Sequence, residues 1–493
     1  MSHQAAADAD AAAAAVSTPA IATTDLSEIS SSERFRGLLW LVAAAFFMQS
    51  LDSTVVNTAV PAMAQALQVT PLGMRTALTS YVLTLAILIP ASPWLCDRLG
   101  TRRVFGIAIV VFGVGSLLCG VAQTLPQLVA ARVLQGVGGA SLMPVGRYVL
   151  VRSIDKREFV RAMSTVATFG LLGSVLGPLL GGALVEFTSW RLIFLINVPV
   201  AIAGVWMNKR DMPDYRLDHA NRFDLFGFLL FAAASALLLT ASELAGATPV
   251  PWVRIGLCGV VAVLMGTVYV WHSRRTAHPV ADLALLKIRS VWVALAGGLF
   301  TRLGISGMFL LLVLFLQVGC GWSPLMAGLM MVPQALGSIT AKWAINRAIV
   351  HFGYRRLLLG NTLIVAVLLG SFALLGPTSP VWLIAVLTFG YGAFAGMQYT
   401  AMNTLIYNDV DIQHASMVSS MASTAQYLAM SFGIALSTLL MEAMLQGHAH
   451  ADYVMAFRWT VILLAVITAI ASRVFSRLRH DRPASAAVAP STP

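Results

Sequence analysis

Charge is what this 493-residue chain has least of: 11% of its residues are Asp, Glu, Lys or Arg, against about a quarter in soluble domains. So little charge excludes an ordinary soluble fold. Cysteine is scarce too. Cys96, Cys119, Cys258 and Cys320 lie in or beside apolar segments without CxxC spacing, which argues against a disulfide framework or a zinc site and for small packing residues. No His/Glu metal cluster, phosphate-cradling loop or sizeable soluble segment supports a membrane-embedded enzyme or receptor. His448, His450 and Asp452 share one outer loop, where exposed histidines are normally solvated. What the chain does have is hydrophobicity, 58% of all residues. Its apolar runs of about 20 residues match a hydrocarbon core about 30 Å thick.

Fourteen such runs are expected, at 37–60, 77–95, 104–122, 127–150, 162–184, 191–208, 224–243, 253–272, 290–316, 323–346, 357–376, 381–404, 416–441 and 454–473. An even number places both termini on one face, and the basic residues choose that face. With cytoplasmic termini, inside segments hold 24 of the 32 Lys and Arg, and outside segments hold four: Arg75, Arg191, Arg254 and Arg458. That asymmetry predicts a multi-pass protein of the cytoplasmic (inner) membrane with its termini inside. The net charge of +11 then faces anionic headgroups and calls for no nucleic acid.

Residues 1–33, rich in Ala, Ser, Thr and acids, read as a disordered cytoplasmic tail. The first apolar run is too long for a signal peptide and lacks a small-residue cleavage site. The stretch 477–493 reads as a second cytoplasmic tail. Two loops betray a duplication. Pro93-Trp-Leu-Cys-Asp-Arg-Leu-Gly-Thr-Arg-Arg103 aligns with Asn346-Arg-Ala-Ile-Val-His-Phe-Gly-Tyr-Arg-Arg356, pairing Gly100 with Gly353. The expected architecture is therefore all-α: a six-helix half over 34–210, a two-helix insertion with cytoplasmic linkers over 211–288, and a second six-helix half over 289–476. Chains built from such repeats place ligands near the midplane between the halves.

The few charges inside the spans single themselves out. Asp52, in Gln49-Ser-Leu-Asp-Ser-Thr-Val-Val-Asn57, lies about 15 residues into span one, roughly 22 Å deep. Arg132 sits about 8 Å below the outer end of span four, hence at matching depth. Burial favours the neutral acid and a guanidinium favours the carboxylate. An acid balanced between the two can load and release a proton; a permanent Asp52–Arg132 pair that only fixes helix packing is the other reading. Gln49 and Ser53 share the Asp52 face, to relay protons, hold a ligand or simply hold the carboxylate. Arg302 stands mid-span in span nine with no acid nearby in its helix, either to take an anionic group or to bond freed carbonyls and amides. Lys342 is placed to snorkel and Arg147 to meet headgroups or a loop. Gln398, Tyr399, Asn403, Gln426 and Tyr427 are pocket candidates from the second half, with interhelical hydrogen bonding as their alternative. In Gly173-Ser-Val-Leu-Gly-Pro-Leu-Leu-Gly-Gly182, glycines 173, 177 and 181 make one flat helix face beside Pro178.

Taken together these residues resemble the major facilitator superfamily over about 37–475, in its fourteen-span drug:proton antiporter branch (EmrB/QacA type). The resemblance rests on Leu51-Asp-Ser-Thr-Val-Val-Asn-Thr-Ala-Val-Pro61, Asp97-Arg-Leu-Gly-Thr-Arg-Arg103, Arg132-Val-Leu-Gln-Gly-Val-Gly-Gly139, the glycine–proline stretch of span five, Trp190-Arg-Leu-Ile-Phe-Leu-Ile-Asn-Val-Pro199 and Phe223-Asp-Leu-Phe-Gly227. Phe46-Phe-Met-Gln-Ser-Leu-Asp52 and Pro144-Val-Gly-Arg147 are most similar to the MdtD-type multidrug transporters. The resemblance implies a proton-coupled antiporter that exports small organic molecules, with anionic metabolites such as organic acids or their metal chelates as the alternative cargo and proton-coupled import disfavoured. It implies Asp52 and Arg132 in proton coupling and a cytoplasmic charge cluster of Asp97, Arg98, Gly100, Arg102 and Arg103. It makes Gly173, Gly177, Pro178, Gly181 and Gly182 an antiporter motif. No metal or organic cofactor is implied, the proton gradient being the drive. The expected partners are the lipid bilayer, protons and substrate, around a monomer compatible with a periplasmic adaptor. One departure stands out: the family's loop motif opens on glycine, and here Pro93 takes that place, adding a ring and removing an N–H.

Overall fold

The structure, a computed structural model, describes residues 32–478 except 155, 218–221, 247–249, 278, 412–413 and 447–452. Nearly all of the N-terminal tail, the chain after 478, and the loop holding His448, His450 and Asp452 lie outside the described residues. Among those described, the fold is helical throughout, with thirteen apolar runs long enough to cross a membrane. We label them α1 (Phe35–Ala66), α2 (Leu72–Leu99), α3 (Thr101–Val121), α4 (Leu125–Ser153), α5 (Arg161–Phe187), α6 (Leu192–Asp211), α7 (Leu225–Leu244), α8 (Trp252–Ser273) and α9 (Arg289–Gly319). The run Pro324–Leu374 holds α10 and α11, followed by α12 (Val381–Leu405), α13 (Met417–Leu445) and α14 (Tyr453–Phe475).

The 51-residue run Pro324–Leu374 contains a reversal. Ser338 Oγ donates to the Gly392 carbonyl at 2.9 Å, and Asn361 Nδ2 donates to the Phe394 carbonyl at 2.9 Å. Those carbonyls are neighbours on α12, whereas a straight helix would hold the two donors about 34 Å apart. The chain turns back at Gly353, whose φ of 70° and ψ of 162° are non-helical. Gly353 thus divides α10 (324–352) from α11 (354–374), and the traverses among the described residues become fourteen. Gly100, its partner in the duplicated loop, has φ 88° and ψ 146°. A side chain tolerates that region poorly, so glycine at both turns follows from one shared backbone shape.

Local chemistry sets the helix ends and breaks. Thr124, Asp224 and Ser323 each cap a following helix by accepting from a backbone N–H. Pro90 falls in a 3-10 turn at Ile89–Ala91 that interrupts α2. Helix α9 is broken after Ile305 and ends in a π-helical turn, Phe315–Gly319.

Buried apolar side chains form one continuous core at the expected outer end, where α1 to α4 and α6 of the first half join α9 to α14 of the second. Towards the inner end the core divides in two, one cluster for each half. Direct bonds between halves follow the same pattern. Gln317 Nε2 donates to the Thr58 carbonyl at 2.9 Å, and the Leu325 N–H donates to Glu186 Oε2 at 2.9 Å. Gly182 lies against the Pro324 carbonyl, and Gly328 against that of Pro178. The halves thus share one core at one end and have separate cores at the other, where Tyr427 and Met430 of α13 still pack against the first half.

Candidate functional site

In the first half, four helices converge on one carboxylate. Asp52 is fully buried, and its Oδ2 accepts from Arg132 Nη1 at 2.8 Å. Its Oδ1 accepts from Gln135 Nε2 at 2.8 Å and Asn197 Nδ2 at 3.3 Å. Gln135 Oε1 accepts from the same Arg132 nitrogen at 2.7 Å. Ser116 Oγ receives Gln135 and Asn197 and donates to the Phe194 carbonyl at 2.9 Å. The guanidinium lies 4.3 Å from the centre of the Tyr81 ring. One acid and one arginine thus meet on α1 and α4, as the matched depths predict, and amides and a hydroxyl from α3, α4 and α6 complete them. Two buried atoms nearby, Gln49 Oε1 and Arg132 Nε, have unmet bonding capacity among the described residues. Ser53, half-buried, donates to the Gln49 carbonyl at 2.7 Å.

Gln135, Asn197 and Ser116 were not singled out by sequence reasoning, although two of them stand in quoted motifs. Gln135 follows Arg132 by three residues, hence on the same helix face, and that spacing was the available signal for it. Asn197 had no comparable signal, because its rotation toward Asp52 depends on how α6 packs.

The second half holds a different arrangement. Arg302, 8% exposed, is buried in α9. Its Nη2 donates to Gln426 Oε1 at 3.2 Å, and its guanidinium lies 4.8 Å from the Tyr399 ring centre. Three of the second-half candidates therefore come together. Asn403 is exposed one turn beyond Tyr399. Tyr427 reaches back to Met143 Sδ at 4.0 Å on α4. Gln398 goes elsewhere: fully buried, it accepts from Asn361 Nδ2 at 2.7 Å and donates to Thr362 Oγ1 at 2.8 Å. Both ends of its amide are taken up by α11, so the interhelical alternative describes it better than a place in a pocket. Lys342 and Arg147 are both exposed near inner helix ends, the latter 5.5 Å from the Phe46 ring centre. Around Arg302 the helix is irregular, and Tyr391 Oη donates to the freed Ile305 carbonyl at 3.1 Å.

The Major Facilitator Superfamily model matches residues 42–434. The chain belongs to that superfamily. A protein of Cronobacter sakazakii named "Putative multidrug resistance protein MdtD" is 40% identical over 463 residues, covering 93% of this chain and 98% of that one. The protein of the same name from Klebsiella pneumoniae subsp. pneumoniae is 40% identical over 466 residues, covering 92% and 97%. Among solved structures, an inward-facing, unoccupied bacterial homolog of the human lysosomal transporter Spinster superposes with a TM-score of 0.64 at 16% identity, covering 91% of this chain and 97% of that one. The POT family transporter PepTSo superposes with a TM-score of 0.65 at 15% identity, covering 90% and 99%. These two likenesses speak for the fold alone.

Against that background the loop motif takes an unexpected set of partners. Arg102 Nε donates to the Met212 carbonyl at 2.6 Å, and its N–H donates to Asp214 Oδ1 at 3.2 Å. Thr101 exchanges bonds with Pro213 and Tyr215. Asp97 Oδ1 accepts from Tyr148 Oη at 3.4 Å, while the Asp97 carbonyl accepts from the Leu217 N–H at 3.1 Å. Arg98 lies 5.4 Å from the Trp94 ring centre, and Arg103 is exposed. The chain leaving α6 is thus strapped over the loop, inside the first half and its linker. Asp214 also abuts Gly100, which leaves no room for a side chain there.

The stripe on α5 divides its labour. Gly173, Gly177 and Gly181 sit against Phe47, Thr54 and Thr58 of α1, within the first half. Pro178 and Gly182 turn to α10 of the second half. The same short segment therefore seals one half internally and closes the outer seam between both.

Proposed function

We propose that the protein is a proton-driven exporter of small organic molecules across the cytoplasmic membrane, and that the Asp52–Arg132 pair is its proton-coupling site. The observation that carries this reading is an ionisable acid with no exposed surface, held by one arginine and two amides. Such a group is costly in hydrocarbon and is functional by default. Protonation cancels the charge that Arg132 and the amide donors hold, so loading one proton loosens the junction of α1, α4 and α6. Gln49 Oε1 and Arg132 Nε, buried with bonding capacity to spare, are available to a water that relays the proton. The names of the MdtD relatives support a drug-like cargo. Everted vesicles presented with cationic dyes or organic acids under an imposed pH gradient test it: uptake should follow the gradient and collapse with a protonophore. Transport indifferent to the gradient would refute coupling.

One observation favours anionic cargo as a second reading. Arg302 is buried with a neutral amide and an aromatic ring, and no carboxylate shares its bonds. A guanidinium so placed has donors to spare for a carboxylate. It also lies beside the α9 break, and broken helices often frame substrate in repeat-built carriers.

A further inference from the structure

At the outer end of the molecule, Arg75 of α2 joins two carboxylates from two other parts of the chain. Its Nε donates to Glu243 Oε2 of α7 at 2.9 Å, and its Nη1 pairs with Glu442 Oε2 of α13. Nη2 adds a bond to the Glu243 carbonyl at 3.2 Å. Arg75 is 4% exposed, and the carboxylates are 18% and 17% exposed. One guanidinium therefore ties the first half, the inserted helix pair and the second half together. The turn after α7 brings Gly246 against both Arg75 and Glu442 and adds no charge.

We propose that this trio is a second protonation site, a latch on the outer face that acid from outside releases. Two acids facing one base leave one negative charge in excess. The carboxylates are also unequal. Glu243 collects Arg75 together with hydroxyls from Thr76 at 2.8 Å and Thr79 at 3.1 Å, whereas Glu442 takes the remaining arm of Arg75. Among the described residues Glu442 therefore depends on Arg75 alone, whereas Glu243 keeps its threonine hydroxyls when Arg75 lets go. Glu442 is also the member that spans the two halves. Neutralising it removes the ion pair across the α2–α13 seam, the seam that must part for the outer side to open. Glu243 and the Trp94–Phe223 ring contact (centroids 4.8 Å apart) hold the inserted pair to α2, while Leu239 of α7 also packs against Ala435 of α13.

The proposal rests on the exporter reading only in giving the opened state a purpose, and its test needs no substrate. Spin labels at Phe187→Cys on α5 and Val318→Cys on α9, with the four native cysteines replaced, report the width of the outer seam. Acidifying the outer bath from about pH 7 to about pH 4 should shift the population toward long distances. Glu442→Gln and Arg75→Gln should raise the long-distance population at the higher pH roughly tenfold and flatten the response. Glu442→Asp should retain a response, and covers the case in which Glu442→Gln fails to fold. The response should also survive Asp52→Asn, which separates this site from the coupling site. Wild-type populations in Glu442→Gln or Arg75→Gln, or a response abolished by Asp52→Asn alone, would overturn the latch.

Discussion

The two halves of this protein share a plan and differ in one respect that matters. Each clamps its third and fourth helices with a buried glutamine: Gln135 binds Ser116 in the first half, and Gln398 binds Asn361 and Thr362 in the second. The first helix of each half carries one buried charge, Asp52 on α1 and Arg302 on α9. The signs are opposite. In the first half the charge is matched by Arg132 and enclosed; in the second it is left with an amide and a tyrosine ring. A neutralised pair suits a group that must exist in two protonation states, and an unmatched cation suits a group that binds. The two halves are thus built on one plan, and different polar residues make them unlike.

The largest effect should come from unbalancing the matched pole. Arg132→Ala leaves Asp52 buried without its counter-charge, which should destabilise the purified protein by about 3–5 kcal/mol and lower its melting temperature. Adding Asp52→Asn should restore much of that loss. A melting curve for Arg132→Ala no lower than that of Arg302→Ala would erase the distinction between the poles.

A smaller effect is expected at the unmatched pole. Arg302→Gln should weaken export of organic acids about ten- to a hundredfold, the equivalent of about 1.5–3 kcal/mol, and leave cationic dyes largely unaffected. Lysine should restore it only in part, since it loses the planar fork. Equal loss for both kinds of substrate would give Arg302 a structural role instead.

The smallest effect on stability, though not on turnover, belongs to the α5 stripe. Gly177→Leu must push α1 away from α5 at Thr54, at about 1–3 kcal/mol, and transport should stop. Gly256→Leu on α8, where nothing lies within 4 Å, should transport normally. Wild-type turnover in Gly177→Leu would reduce the motif to ordinary packing.

How legible this was from sequence depended on rarity. Asp52 and Arg132 could be paired because almost nothing else charged lies at that depth. Gly100 and Gly353 could be aligned because their loops repeat. Neutral polar residues were harder, being numerous in the spans and useful or idle according to helix rotation, which apolar periodicity does not set when helices are buried on most sides. Gln398 reads from sequence as either a pocket residue or an interhelical bond, and its amide is bonded to α11; the place of Asn197 beside Asp52 emerges only from helix packing. Arg75 illustrates a further limit. Its place before an apolar run suggested an outer loop, yet α2 begins at Leu72 and buries it. Glu243 and Glu442 are distant from it in sequence, and only the packing of three separate helices makes them a site.

The central claim, that one buried acid couples the proton gradient to transport, is tested most directly by Asp52→Asn in proteoliposomes with an imposed gradient. The drive at stake is about 1.4 kcal/mol per pH unit and about 2.3 kcal/mol per charge per 100 mV. The variant should insert, bind substrate and exchange it across the membrane without concentrating it. Accumulation against a substrate gradient by Asp52→Asn would contradict the account.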